Sequence, residues 1–339
     1  MKKNKPQKIL VTGGAGYIGS HVVKTLGEQG YSITVIDNLS TGNRDAVLYG
    51  EFIQGDLQDQ SLLESVFSSH QFDGVMHFAG SIKVPESVKD PLKYYQNNTI
   101  NSYNIIACCE KFGVDHFVFS STAAIYGEPE IDLICETAAK KPINPYGRSK
   151  LNTEWVLEDL NNAKSSFNYV AIRYFNVCGA DPAGEIGQAF PEPFHLINIA
   201  CEVAAGKREK MAIYGQDYPT SDGTCIRDYI HVSDLATAHV LALEYLFENK
   251  TSTTVNCGYG NGYSVKEIIS NVKEVTGVDF VVDQANRRPG DPPVLVANSD
   301  KIKKIFKWQP KHNDLKFIIQ SVYDWEQSDT YQQWTRKRS

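Results

Sequence analysis

No stretch of this sequence stays apolar long enough to span a bilayer. None of its seven cysteines forms a C-x-x-C pair or stands near a histidine at a metal-site spacing. The first absence implies a protein without a membrane span. The second, with the odd count, argues against a disulfide framework and fits reduced thiols packed inside a cytoplasmic protein. Eight histidines are scattered rather than clustered, so no metal is expected. Positive charge is not in excess either: 34 Lys and Arg against 40 Asp and Glu give a formal net charge of −6. That balance argues against a nucleic-acid partner, while a local basic pocket for one phosphorylated ligand is still compatible with it. The basic opening MKKNKPQK runs straight into Ile9-Leu10-Val11 without the apolar core of a signal peptide, and reads as a solvated tail. Internal repeats and low-complexity tracts are missing too.

What is present is 42% hydrophobic residues, enough for a substantial core. Short β-branched runs recur at Ile9–Val11, Ile33–Ile36, Phe52–Ile53, Val75–Phe78, Phe117–Phe119 and Val170–Ile172, with helical patterns between most of them. This alternation predicts an α/β fold of Rossmann type, a doubly wound parallel sheet covered on both faces, with a smaller, loop-rich C-terminal lobe. In the first connection Ile18, Val22 and Leu26 form an apolar stripe at four-residue spacing, and His21, Lys24 and Glu28 point away from it. Turn-rich stretches at 179–187, 214–224 and 286–293 place the boundary between domains 1–175 and 176–339. A helix from Asp228 to Leu246 and a strand at Thr254–Cys257, within about 228–258, look able to return to the first domain.

TGGAGYIG, residues 12–19, follows the first strand and opens the first helix. Gly13, Gly16 and Gly19 allow a tight turn, close approach of backbone to a pyrophosphate and close helix-to-sheet packing. Asp37 ends the second strand, placed for the ribose hydroxyls of an adenine dinucleotide, and its charge would repel a 2′-phosphate. The cofactor expected is therefore NAD rather than NADP. Asp56, after the third strand, is placed to meet the adenine.

Of the 18 tyrosines only Tyr146, within NPYGRSK at 144–150, has a lysine four positions later. Asn144 and Pro145 read as the cap and first residue of a helix, which puts Tyr146 and Lys150 on one face. A cation held beside the phenol is expected to lower its pKa toward working pH and make it an acid/base. The fifth strand ends at Ser120-Ser121-Thr122, and ligands of open parallel sheets bind beyond the carboxyl ends of strands. Thr122 would then hydrogen-bond the reacting oxygen while Tyr146 takes an alcohol proton and Lys150 biases the tyrosine and holds the ribose.

At this point the chain resembles the extended short-chain dehydrogenase/reductases, and within them the UDP-glucose 4-epimerases, over roughly residues 7–328. The stretches that carry the resemblance are TGGAGYIGSH at 12–21, IDNLSTG at 36–42, GDL at 55–57, MHFAG at 76–80, YYQNN at 94–98, FSSTAAIYGEP at 118–129, NPYGRSK at 144–150, RYFN at 173–176, DGTCIRDYIHVSDLA at 222–236 and RRPGDPP at 287–293. The resemblance implies a tightly held NAD, reduced and reoxidised within one turnover, and C4 epimerisation of a UDP-sugar through a transient 4-keto sugar. For the cofactor it implies contacts from Gly13, Gly16, Tyr17, Ile18, Gly19, Asp37, Asn38, Asp56, Leu57, Phe78, Ala79, Gly80, Asn97, Ser120, Tyr146, Lys150 and Tyr174. For the substrate it implies Thr122, Tyr146, Phe175, Asn176, His195, Leu196, Arg227, Arg288, Asp291 and Leu295. Arg227 and Arg288 suit a pyrophosphate, and neither shows an obvious structural duty in its turn-rich segment. A homodimer through helices at about 95–112 and 146–162 is also implied.

Departures from the family pattern narrow the reading. Ile82 followed by Lys83 replaces a lysine two residues after HFAG, His195 replaces an asparagine common beside the uridine, and Val177-Cys178-Gly179 replaces a Pro/Ala turn. Members with a tyrosine at the position of Leu295 tend to exclude N-acetylated sugars, so Leu295 implies action on UDP-Glc/Gal and UDP-GlcNAc/GalNAc alike. The nearest alternative, a nucleotide-sugar 4,6-dehydratase of the same fold, places an Asp-Glu pair after the threonine, where this chain has Ala123 and Ala124. A non-catalytic NAD-binding regulator would have no need of Thr122, Tyr146 and Lys150 together.

Overall fold

Each apolar run of the first half folds as a strand: β1 (Lys8–Thr12), β2 (Ser32–Asp37), β3 (Glu51–Gln54), β4 (Gly74–His77) and β5 (His116–Ser120). A short β6 (Leu133–Ile134) precedes β7 (Asn168–Tyr174) and β8 (Asn176–Cys178). This computed structural model describes residues 6–131, 133–190, 193–288 and 291–336. The first five residues of the basic opening, and Pro289 and Gly290 of RRPGDPP, lie outside the described residues.

The main sheet has seven strands in the order β11-β7-β5-β4-β1-β2-β3, where β11 is Thr253–Cys257. Its register is parallel from β7 through to β3. The chain steps outward from β1 to β2 and β3, then crosses back to β4, β5 and β7 on the other side. That reversal at β1 and β4 makes a topological switch point, where open α/β sheets bind ligands. The turns after these two strands meet there, since the N–H groups of Phe78 and Ala79 both donate to the Thr12 carbonyl, at 2.9 and 3.1 Å.

Helices cover both faces, as a sheet buried on each side requires. α1 (Tyr17–Glu28), α2 (Gln60–His70), α3 (Val84–Lys89), α4 (Pro91–Tyr95), α5 (Asn101–Phe112) and α6 (Pro145–Ala163) come in chain order. α4 continues through a single π-helical turn at Gln96–Ile100 into α5. Leu63 and Phe67 of α2, Ile105 and Cys109 of α5 and Leu157 of α6 form one core with Leu10, Phe117 and Phe119 of the sheet. Val22 and Leu26 of the α1 stripe are fully buried as the spacing predicts and Ile18 is half-buried, but His21 and Lys24 are buried as well. His21 turns its ring edge-on to Tyr17 and its Nδ1 bonds the Tyr17 carbonyl at 2.8 Å, and Lys24 lies toward Glu28 at 3.8 Å, so each has a partner on its own helix.

The chain divides into two compact units. One holds the residues up to Ile125, Pro142–Arg173 and Ala236–Val255; the other holds Tyr126–Lys141, Tyr174–Leu235 and the chain from Asn256 onward. The second unit adds α7 (Leu196–Ala204), β9 (Met211–Tyr214), β10 (Ile226–His231), β12 (Gly262–Ser264), α9 (Val265–Thr276), β13 (Val282–Ala285), β14 (Val294–Ala297), α10 (Asp300–Phe306), α11 (Leu315–Gln327) and α12 (Asp329–Arg336). Its sheet runs β12-β10-β14-β6 with β8 also on β10, and β9 pairs with β13. The segment from Asp228, expected to be helical, opens as strand β10. Helix α8 (Val232–Asn249) begins only after it. The reason is Asp228 itself, whose buried carboxylate accepts from the N–H groups of Tyr259, Gly260 and Ala297 and so ties this stretch into the sheet. Within the first unit α8 packs on the main sheet, His239 against Phe78 and Phe247 against His116. Among the described residues no helix is long and apolar enough to cross a membrane, and no group of three or more His, Cys, Asp or Glu could hold a metal ion.

Candidate active site

The glycine turn is explained by what surrounds it. Gly13 has φ +73, and a Cβ there would stand 2.5 Å from the Ala79 nitrogen; at Gly19 it would stand 2.2 Å from the Gly13 carbonyl oxygen. Both contacts are backbone on backbone, so neither can give way cheaply. α1 then starts with Gly16 as its N-cap, with no side-chain cap and no acid in the first turn. Its leading N–H groups, at the positive end of the helix, thus face outward with no competing carboxylate. Asp37 closes β2 beside this turn. Its two oxygens accept from the N–H groups of Ala15 (3.0 Å) and Leu39 (2.8 Å), and burial pushes its pKa up against the pull of those bonds. Asn38 donates to Asp56 at 2.8 Å. An uncapped helix end, a turn that admits no Cβ and a fixed carboxylate with lone pairs to spare together fit an adenine dinucleotide.

Of the remaining residues expected at the cofactor, Tyr17 is the first residue of α1, Ile18 is half-buried and Leu57 belongs to the hydrophobic core. Asn97 donates to the Ser81 hydroxyl at 2.9 Å from within the π-helical turn. A Cβ on Gly80 would meet Asn98 Oδ1 at 3.0 Å and Lys150 Nζ at 3.4 Å. Asn98, which sequence reasoning passed over, bonds both the N–H (2.7 Å) and the carbonyl (2.9 Å) of Ser81. Its place in the NN pair of YYQNN was the available signal. His77, also missed, lies wholly buried between Thr12 Oγ1 (2.6 Å) and Ser102 Oγ (2.8 Å). Because Ser102 spends its proton on the Asn98 carbonyl (2.7 Å), His77 must donate from Nε2 and accept from Thr12 at Nδ1. Burial holds this imidazole neutral, with a pKa lowered to about 3.

α6 begins as its sequence predicts: Asn144 accepts from the Gly147 N–H at 2.9 Å and Pro145 is its first residue. Tyr146 is buried, with its hydroxyl bonded by that of Thr122, and Tyr94 is edge-on to its ring at 6.3 Å. Thr122 also accepts from the Ala124 N–H at 3.1 Å, which fixes its hydroxyl. Lys150 Nζ donates to the Ser120 carbonyl at 3.0 Å and lies 4.9 Å from the centre of the Phe119 ring. The expectation that Lys150 lowers the Tyr146 pKa does not hold in this structure. Burial raises the phenol above its ordinary value, and only the bond from Thr122 opposes it. Lys150 is itself lowered to about 8 by burial, with Glu154 pulling the other way. The spacing had put the two groups on one helix face, but it could not show that both would be desolvated.

In the second unit Phe175 is buried and Asn176 opens β8, opposite Tyr229 in register. Tyr174 closes β7 just before them. His195 is the N-cap of α7 and Leu196 its first residue; Gln188 Nε2 lies 2.7 Å from His195 Nδ1, and the ring packs 4.1 Å from that of Phe194. Arg227 departs from expectation. It is buried on β10, not in a turn, and has structural partners: an ion pair with Asp291 and a bond to the Ile226 carbonyl at 2.8 Å. Leu295 is its parallel partner on β14 and is half-buried. Arg288 is exposed, with its guanidinium 3.9 Å above the Tyr214 ring. Arg227, Asp291 and Leu295 are thus brought together, as are Ser120, Thr122, Tyr146 and Lys150 in the first unit.

Comparison with known proteins agrees with this geometry. Residues 9–258 match the NAD dependent epimerase/dehydratase family. A UDP-glucose 4-epimerase of Azospirillum brasilense is 52% identical over 322 residues, 95% of this chain and 92% of that one. The solved UDP-Glc/GlcNAc 4-epimerase from Campylobacter jejuni is 49% identical, with a TM-score of 0.83, covering 94% of this chain and 99% of that one. A UDP-glucose 4-epimerase from Brucella ovis, solved in complex with NAD, is 44% identical with a TM-score of 0.91, over 94% and 98% of the two chains.

Proposed function

The chain belongs to the NAD-dependent epimerase/dehydratase family, and from that premise we propose that it interconverts the C4 epimers of UDP-hexoses through a transient 4-keto sugar. The observation that carries this reading is the Thr122–Tyr146 hydroxyl pair, followed along the chain by Ala123 and Ala124. Two hydroxyls can hold and move one proton at a C4 oxygen. Methyl groups cannot supply the acid that elimination of water across C5 and C6 requires, which disfavours the 4,6-dehydratase.

The cofactor is NAD, held by the Gly13–Gly19 turn, the α1 N-terminus and Asp37, with Lys150 toward its ribose. When bound it supplies the acceptor and donor of hydride at C4, and in its oxidised form a positive charge. Tyr146 Oη takes the C4 hydroxyl proton as the alcohol becomes a ketone and returns it after the sugar has turned. Thr122 bonds the same oxygen in both states. Arg227, Asp291, Asn176, His195, Leu196 and Arg288 anchor the UDP, while Phe175 and Leu295 border the hexose.

Two finer assignments go with this. Leu295 leaves room for an acetamido group, so N-acetylated UDP-hexoses are substrates too, a reading supported by the relative described as a UDP-Glc/GlcNAc epimerase. The working form is a homodimer through α5 and α6, supported by exposed Tyr103 on α5, Trp155 on α6 and Ile100 at the end of the π-helical turn that leads into α5. Seven free cysteines support a cytoplasmic location. The test is to incubate the purified protein, with no added cofactor, with UDP-galactose and with UDP-N-acetylgalactosamine, and to follow products by NMR. Formation of both C4 epimers is expected. A 4-keto-6-deoxy product, or no turnover even with added NAD, would overturn the proposal.

A further inference from the structure

Three residues of α6, spaced four apart, each grip a different residue at the end of β5. Tyr146 bonds the Thr122 hydroxyl, Lys150 donates to the Ser120 carbonyl at 3.0 Å, and Glu154 Oε1 accepts from the Ser121 hydroxyl at 2.5 Å. The third rung touches none of the reacting groups, yet it is the most firmly held. Glu154 and Arg173 are 3% and 2% exposed, and Arg173 of β7 clasps both carboxylate oxygens, Nε to Oε1 at 3.0 Å and Nη2 to Oε2 at 2.6 Å. Ser121 is tied to the same strand, its N–H donating to the Ile172 carbonyl at 2.9 Å.

We propose that Glu154 and Arg173 are positioning residues: their buried ion pair, acting through Ser121, sets the register of α6 against the end of β5 and so fixes Tyr146 and Lys150 relative to Thr122. A buried ion pair is a poor way to gain stability, because desolvation of both charges offsets most of their attraction. What it supplies is direction, since the bidentate fork accepts only one placement of the carboxylate. An apolar pair at the same positions would fill the volume and leave α6 free to slide. Sliding by a fraction of an ångström separates the Tyr146 and Thr122 hydroxyls, and misplacement of about 1 Å at a reacting group can cost about 100-fold in rate.

This inference rests on the epimerase reading for its kinetic arm, so wild-type turnover of UDP-galactose is measured first. Its failure would count against that reading and not against the positioning role, which has its own arm in amide exchange. Glu154→Gln keeps the shape and removes the charge, but leaves Arg173 buried without a counter-ion, a cost large enough to threaten folding. Ser121→Ala cuts the third rung alone and leaves the ion pair whole. For folded Ser121→Ala we expect kcat to fall about 10- to 100-fold, with KM for UDP-galactose and the content of bound NAD unchanged. Amide exchange should rise at residues 120–122 and 146–150 and remain slow in β1 and β4. Unchanged kcat in a folded variant, a loss that follows KM or the folded fraction, or exchange that rises evenly through the sheet would overturn the positioning role.

Discussion

Tyr146 carries the proton in the proposed reaction, and burial keeps it a neutral phenol in the chain alone. Replacing it with phenylalanine preserves the packing against Tyr94 and removes only the hydroxyl. Tyr146→Phe should lower kcat by about 10²- to 10⁴-fold while bound NAD stays, as single-turnover kinetics and the absorbance of the denatured supernatant would check. Leu295→Tyr tests the pocket: turnover of UDP-N-acetylgalactosamine should fall selectively, and equal loss on the plain sugar would sink the volume argument. At this scale the sequence was informative where the chemistry is local. The Asn144 cap, the Tyr146–Lys150 spacing and the approach of Gly19 to the Gly13 carbonyl each follow from neighbours within a few residues. Nothing local announces that Arg227 will pair with Asp291, or that Glu154 will find Arg173, because those partners meet only when strands assemble.

At the scale of elements, the crossing of β1, β4 and α5 is held by one neutral histidine. His77 has its folded pKa lowered to about 3 from an unfolded 6.5, so between these values the unfolded chain binds the extra proton. Its contribution to stability is therefore complete above pH 6.5 and is lost as pH falls toward 3, about 2 kcal/mol being gone by pH 5. Comparing urea midpoints at pH 7.5 and 5 should show a steeper fall for wild type than for His77→Asn. Parallel curves would show that the ring is protonated without penalty. The junction of β1 and α1 offers a second test. Gly19→Ala drives a Cβ to within 2.2 Å of the Gly13 carbonyl, so the turn must open. The purified variant should carry much less NAD than wild type, while its circular dichroism stays that of an α/β protein. The strands and the first helices were legible in the sequence because their apolar periods are strong. The strand at Asp228 was not, since the three N–H groups that hold it there come from residues far along the chain.

For the molecule as a whole, assembly is the open quantity. Trp155 is 49% exposed and Tyr103 56%, large side chains that a monomer rarely leaves in water together. Trp155→Glu should convert a dimer to a monomer in sedimentation velocity at micromolar concentration. Wild-type protein that already sediments as a monomer would remove the homodimer from the proposal. The existence of two lobes could be read from the onset of turn-rich sequence, but the chain's repeated passage between units could only be hinted at, since contact partners and not composition define it.

That passage bears on how the chain is made. The seventh strand of the main sheet, β11, lies next to β7 in space but is synthesised roughly 80 residues after it, once α7, β9 and β10 have emerged. At about 5–20 residues per second, a ribosome leaves the outer edge of β7 without its neighbour for about 4–16 s. During that interval the nascent chain carries a row of unpaired backbone groups able to capture a strand from another polypeptide. Heterologous expression at high rates should therefore tend toward inclusion bodies for a reason unconnected with the finished fold, and slower translation or a co-produced holdase is the natural remedy.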